Sequence, residues 1–223
     1  MARSLFGKNP DMDDIDFIEA IEASFDIRFD DAEPPTWATF GDVFDATCRR
    51  VGPVERGSLP CLSASAFRRI RRAVLECSPG AVVRPDTSLA ILIGRRRVRS
   101  WWRGVERSSG LKLPAPVLAN WSGCLLLVLL FAVPLATVLG GMPGWIAVLS
   151  PVLGLLSARV LPERLPARTV GEFARKAAAM NAKALSASHG AIRSRDVWES
   201  LALIARDVTA YKEPIDRQTA LVG

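Results

Sequence analysis

The chain has 223 residues, 49% of them apolar, and its 29 lysines and arginines outweigh 23 aspartates and glutamates to give a formal charge of +6. That length holds one domain of ordinary size, or two small ones around something else. A single histidine and four cysteines without a CxxC pair (Cys48, Cys61, Cys77, Cys124) exclude a zinc ribbon and a disulfide framework, leaving isolated thiols in a reducing cytosol and no metal site.

From Asp11 to Asp45 the only base is Arg28, whereas Arg49 to Lys112 is rich in arginine. The opening "MARSLFGKNPDMDD" lacks a long apolar core and turns acidic at once, so no signal peptide is expected. In "NPDMDDIDFIEAIEASFDIRFDD", Met12, Ile15, Ile18, Ile21 and Phe25 recur at helical spacing. They predict an amphipathic helix with carboxylates crowded into its first turns, where the helix dipole favours them. "AEPP" reads as a loop, and "TFGD" as an N-cap with an acidic partner three residues on, opening a short helix through "VFDAT".

"CLSASAFRRIRRAVLEC" predicts a helix starting near Ser63 or Ser65, with Phe67, Ile70, Val74 and Leu75 inward and Arg68, Arg69, Arg71 and Arg72 outward. "RPDTSLAILI" has a proline-turn start and a short apolar run. "GRRRVRSWWRG" then interleaves Arg95, Arg96, Arg97, Arg99 and Arg103 with Trp101 and Trp102. Such a patch suits phosphates and stacked bases, or anionic headgroups with tryptophan at the bilayer interface. The apolar block that follows favours the membrane surface over nucleic acid.

That block, Leu113 to Ala158, has no charged side chain. Val117–Leu139 exceeds the roughly 20 residues a helix needs to cross a bilayer, and Trp145–Leu161 lies near the short end of the range. Gly140, Gly141, Pro143 and Gly144 form the turn. Arg95 to Lys112 on one side and Arg159, Arg164, Arg168, Arg175 and Lys176 on the other predict cytoplasmic termini and an outward turn. Pro134 and Pro151 should bend the spans. No ionisable group lies between them, which argues against a pump. The small residues Ala132, Ala136 and Gly140, and Ser150, Gly154 and Ala158, allow close packing within the hairpin or between copies in a homo-oligomer. The alanine- and arginine-rich composition points to a GC-rich bacterium, and the membrane expected is therefore a bacterial inner membrane.

After the block, "TVGEFARKA" at Thr169 echoes "TFGDVFDAT" at Thr39, and His189 falls in a loop. In "SRDVWESLALIARDVTAYKEPIDRQTALVG", Val197, Leu201, Ile204 and Val208 form an apolar helical stripe. GxSxG, P-loop, GxGxxG and HExxH patterns are missing, so no enzymatic activity is expected.

The stretch "IEAIEASFDIRFDD...TWATFGDVFDAT" resembles the second half of an acyl carrier protein, with its acidic recognition helix, following loop and closing helix. The resemblance implies a small four-helix bundle that attaches phosphopantetheine to the serine of a D-S-L motif. Aligned through Phe25, "DMD" falls on "SLD", so Asp11 stands where that serine would be. A carboxylate cannot hold the cofactor through a phosphodiester, and no cofactor is expected. Ser194–Gly223 is similar to a carrier's first helix and the loop leading to its serine. The whole resembles a group of bacterial two-span membrane proteins with carrier-like segments.

The fold expected is therefore all-α. It comprises a carrier-like region (1–52), an arginine-rich juxtamembrane region (60–112), a transmembrane hairpin (117–161) and a helical C-terminal region (169–223). The resemblance implies that Asp13, Asp16, Glu19 and Glu22 meet a basic surface, on an acyl-transfer enzyme or on the chain's own Arg68–Arg72 helix. A membrane-tethered interaction module is the first functional expectation. The second is a carrier completed by another chain, and a lipid-metabolism enzyme follows.

Overall fold

The structure is a computed structural model that describes residues 4–6, 10–53, 60–94, 98–118, 128, 131, 135, 163–209 and 211–222. The chain forms two compact units, one of Met1–Pro114 with Ala167–Gly223 and one of Ala115–Pro166. In the second unit, β1 (Val117–Leu118) pairs antiparallel with β2 (Glu163–Arg164), with Val117 opposite Arg164. The predicted spans, their prolines and their small-residue faces otherwise lie outside the described residues. Among the described residues no helix is long and apolar enough to cross a membrane.

The first unit is all-α. Its helices are α1 (Pro10–Phe25), α2 (Phe40–Val51), α3 (Leu62–Cys77), α4 (Leu89–Ile93), α5 (Val98–Ser109), α6 (Val170–Met180), α7 (Ala182–Ala187) and α8 (Ser194–Thr209). The capping box at α2 is as expected: the Asp42 backbone N–H points at the Thr39 hydroxyl, and the Asp42 carboxylate accepts from the Thr39 N–H at 2.8 Å. Gly52 closes the helix at φ 62°. Two predicted faces are rotated. In α1, Phe17, Ile21 and Phe25 are buried while Ile15 is 55% exposed. In α3, Ala66, Ile70, Ala73 and Val74 face the core and Leu75 faces solvent. A helix with more apolar residues than one stripe can bury offers several faces, and tertiary packing selects among them.

The boundaries at 52/60 and 112/169 do not separate bodies. Helix α3 packs on α5 and α6, while α8 packs on α1, α2 and α6. The segments before and after residues 115–166 thus share one core, in which α1 and α2 lie against α8.

That core is built twice. One half contains α8, the loop 211–222, α1 and α2. The other contains α3, the loop leading to α4, α5 and α6. In the first half, Phe40 N donates to Thr219 O (2.9 Å), Gly41 N to Arg217 O (3.0 Å) and Leu221 N to Ala38 O (3.0 Å). In the second, Val170 N donates to Thr87 O (3.0 Å), Gly171 N to Pro85 O (2.8 Å) and Leu89 N to Arg168 O (3.0 Å). Thr39 and Thr169 cap α2 and α6. A Cβ would lie 2.8 Å from Arg217 O at Gly41 and 2.9 Å from Pro85 O at Gly171, so each loop crosses where only glycine leaves room. The echo between "TFGD" and "TVGE" is therefore a structural repeat.

Helices α1 and α5 match in the same way. Phe17, Ile21 and Phe25, with Phe29 in the loop beyond, are buried in one half, and Trp101, Val105 and Ser109, with Leu113 in the loop beyond, in the other. Each helix ends in a left-handed residue, Asp26 (φ 52°) or Gly110 (φ 64°). The Glu22 carboxylate then accepts from Phe29 N (2.7 Å), and Glu106 from Leu113 N (3.2 Å). Each following loop is gripped again through its carbonyl: Arg28 O by Arg50 Nε at 2.8 Å, Lys112 O by Asn181 Nδ2 at 2.7 Å.

Candidate interaction surface

Helix α1 carries six carboxylates and no base. Asp16 and Glu19 face solvent beside Ile15, together with Ala23. Backbone geometry dictates this arrangement: Phe17, Ile21 and Phe25 recur at fourth positions and go inward, leaving 15, 16, 19 and 23 outward. The side chains of Asp11 and Asp13 lie outside the described residues, as do Arg95, Arg96 and Arg97.

Glu22 does not join this face. Its side chain is 16% exposed, lies 3.6 Å from Arg28 Nη1, and accepts the Phe29 N–H. A carboxylate so used fixes the loop after α1 and is not presented outward, which corrects the partner-binding role expected for it.

The basic segments are placed differently from expectation. Arg68, Arg71 and Arg72 are exposed on α3. Among the described residues, no ion pair joins them to the α1 carboxylates. The main packing partners of α1 are α8, α7 and α6, so the intramolecular docking considered from sequence is not found. Trp101 and Trp102 are each 4% exposed. Their rings meet edge-on at 5.8 Å, and Trp102 meets Phe173 at 4.8 Å. They are core residues, a correction to their expected place at a membrane surface. Trp101, Trp102 and Val105 form the inner stripe of α5, whereas Arg99, Arg103 and Arg107 form its exposed row.

An apolar cleft of about 230 Å³ runs beside α1, lined by Phe17, Ile18, Pro35, Trp37, Val43 and Leu221 among others. Elsewhere, a polar tie joins the start of α3 to the loop before α8. His189 Nε2 lies 2.9 Å from the Ser65 hydroxyl. Asp196, buried, takes a two-pronged bond from Arg193 at 2.9 Å and lies 3.5 Å from Cys61 Sγ. The bonds to Asp196 raise the Arg193 pKa. Ser65 is itself buried, and the arrangement fastens loops to a helix. Burial, with Asp45 nearby, pushes the Cys48 thiol up to about 11, so it stays protonated and a poor nucleophile at neutral pH. Among the described residues no cluster of His, Cys, Asp and Glu could hold a metal ion.

Comparison of the chain with protein-family models, with curated proteins and with solved structures returns no match.

Proposed function

We propose that the chain is a non-enzymatic, membrane-tethered interaction module that uses a carrier-like helix for its surface and not as a carrier. The observation that carries this reading is the outer face of α1. There a large apolar side chain, Ile15, stands 55% exposed beside the exposed Asp16 and Glu19. An apolar anchor rimmed by like charges suits a docking face for a basic surface, such as that of an acyl-transfer enzyme. Asp11 occupies the position at which the acyl carrier resemblance would require serine, so no phosphopantetheine is carried. The helix that the resemblance leaves wanting before α1 has a counterpart in α8 of the same chain, so a second chain is not needed to complete the bundle.

The tether is the apolar hairpin of residues 117–161, of which Val128, Phe131 and Leu135 stand exposed. It spans a bacterial inner membrane as a hairpin with both flanks cytoplasmic.

Affinity capture from detergent extracts tests the docking face, comparing the wild type with Asp16→Asn/Glu19→Gln and with Ile15→Ala. A basic partner should be lost from both variants at equal folding. Its binding should also weaken as salt shortens the screening length from about 10 Å at 0.1 M toward about 3 Å at 1 M. An unchanged set of partners would overturn the reading.

A further inference from the structure

The positions that face solvent on α1 and α5 correspond one to one, and the first row carries acids where the second carries arginines, with a direct inversion of sign at Glu19 and Arg103. Ile15, Asp16, Glu19 and Ala23 are exposed on α1, and Arg99, Ser100, Arg103 and Arg107 are exposed at the matching positions of α5. Inversion stops where the fold needs a particular group: Glu22 and Glu106 are both retained, each bonded to the N–H seven residues on.

We infer that the α1 face docks on the α5 row of a second copy of this chain. Helices with the same burial pattern offer their outer residues at the same axial spacing, about 6 Å between fourth neighbours. Glu19 of one copy can therefore lie against Arg103 of another, with Asp16 opposite Ser100 and one residue from Arg99, and Arg107 extends the basic row beyond them. Among the described residues no ion pair joins the two rows within one chain. The contact uses different surfaces on the two copies. It is heterologous, and each added copy leaves one acidic and one basic row open, so assembly proceeds to rings or rows and not to a closed pair. Each exposed ion pair contributes little alone, but matched rows select partner and register. This names the partner of the α1 face and so rests on the docking role proposed above.

The test is co-capture of two differently tagged full-length chains, co-expressed and extracted in mild detergent. One variant carries Asp16→Arg/Glu19→Arg and the other Arg103→Glu/Arg107→Glu. Self-capture should fall at least tenfold within each variant and return when the two variants are mixed, because mixing restores opposite signs on both contacts. A lipid or a third protein cannot produce that return. The milder Asp16→Asn/Glu19→Gln chain, with thermal midpoints recorded for all, should lose self-capture several-fold without loss of folding. Undiminished self-capture in every variant would overturn the inference and leave association to the hairpin. Absence of wild-type self-capture, or loss without return on mixing, would also overturn it. If other proteins are still captured through Asp16 and Glu19 in those cases, the docking role itself stands.

Discussion

The half of the first unit that contains α1 and the half that contains α5 use the same backbone for opposite surfaces. Where the chain must cross close to itself, both have glycine, Gly41 and Gly171. Where a helix must start, both have threonine followed by an acid three residues on: Asp42 accepts from the N–H of residues 38 and 39, and Glu172 from the N–H of 168. On the exposed row, one half has Asp16 and Glu19 where the other has Ser100 and Arg103. Shared positions answer to geometry and divergent ones to what each face meets outside.

The comparison breaks most readily in the core. Phe17→Ala and Trp101→Ala remove matching buried aromatics and should each destabilise the chain by about 3–5 kcal/mol in chemical denaturation of the full-length protein. A loss below about 1 kcal/mol at either would mean that the two helices are not equivalent anchors.

Gly41→Ala and Gly171→Ala come next. Each new methyl meets a carbonyl oxygen already held by the backbone, and overpacking of this kind costs about 1–3 kcal/mol. Similar losses at both sites would sharpen the repeat, and tolerance at one would place its loop elsewhere.

The carboxylate anchors follow. Glu22→Gln and Glu106→Gln weaken a charge-assisted bond to a backbone N–H, and each should cost about 1 kcal/mol by the same measurement. Asp26→Gly works in the opposite direction. It gives the first half the residue that the second half has at this left-handed position, and should raise stability by roughly 0.5–1 kcal/mol, strain relieved less the added freedom of the unfolded chain.

The smallest effect is one of pH. The Thr39 N–H holds the Asp42 carboxyl below its ordinary 3.8. A depressed folded value means that the cap stabilises fully above the unfolded pKa and is lost as pH falls through the folded one. The acid limb of the stability curve should therefore be shallower in Asp42→Asn, and an unchanged limb would deny Asp42 that role.

Local features were legible in the amino-acid sequence where their cause is local. The Thr39–Asp42 box and the helices around Ile21 and Ile70 follow from residues within a few positions of one another. The face of α1 was not legible, because Ile15, Phe17 and Ile18 all satisfy helical spacing and only the packing partners decide among them. Trp101 and Trp102 were misplaced because neighbouring arginines suggested an interface. The spacing of Trp101 and Val105 already marked a core stripe. The pairing of halves depends on contacts across residues 115–166, which leave no trace in periodicity. The "TFGD" and "TVGE" echo was its one visible sign. Of the acidic face expected on α1, Asp16 and Glu19 are exposed, while Glu22 is drawn inward by a loop whose path composition does not encode.

Incubation of the full-length chain with a broad-specificity phosphopantetheinyl transferase and coenzyme A, followed by intact mass, tests most directly whether α1 acts as a surface or as a carrier. The acyl carrier resemblance puts Asp11 at the serine position, and on the function proposed the mass should be unchanged while an acyl carrier control gains the cofactor. A cofactor-sized gain on this chain would contradict the account, and fragment masses would show which hydroxyl took it.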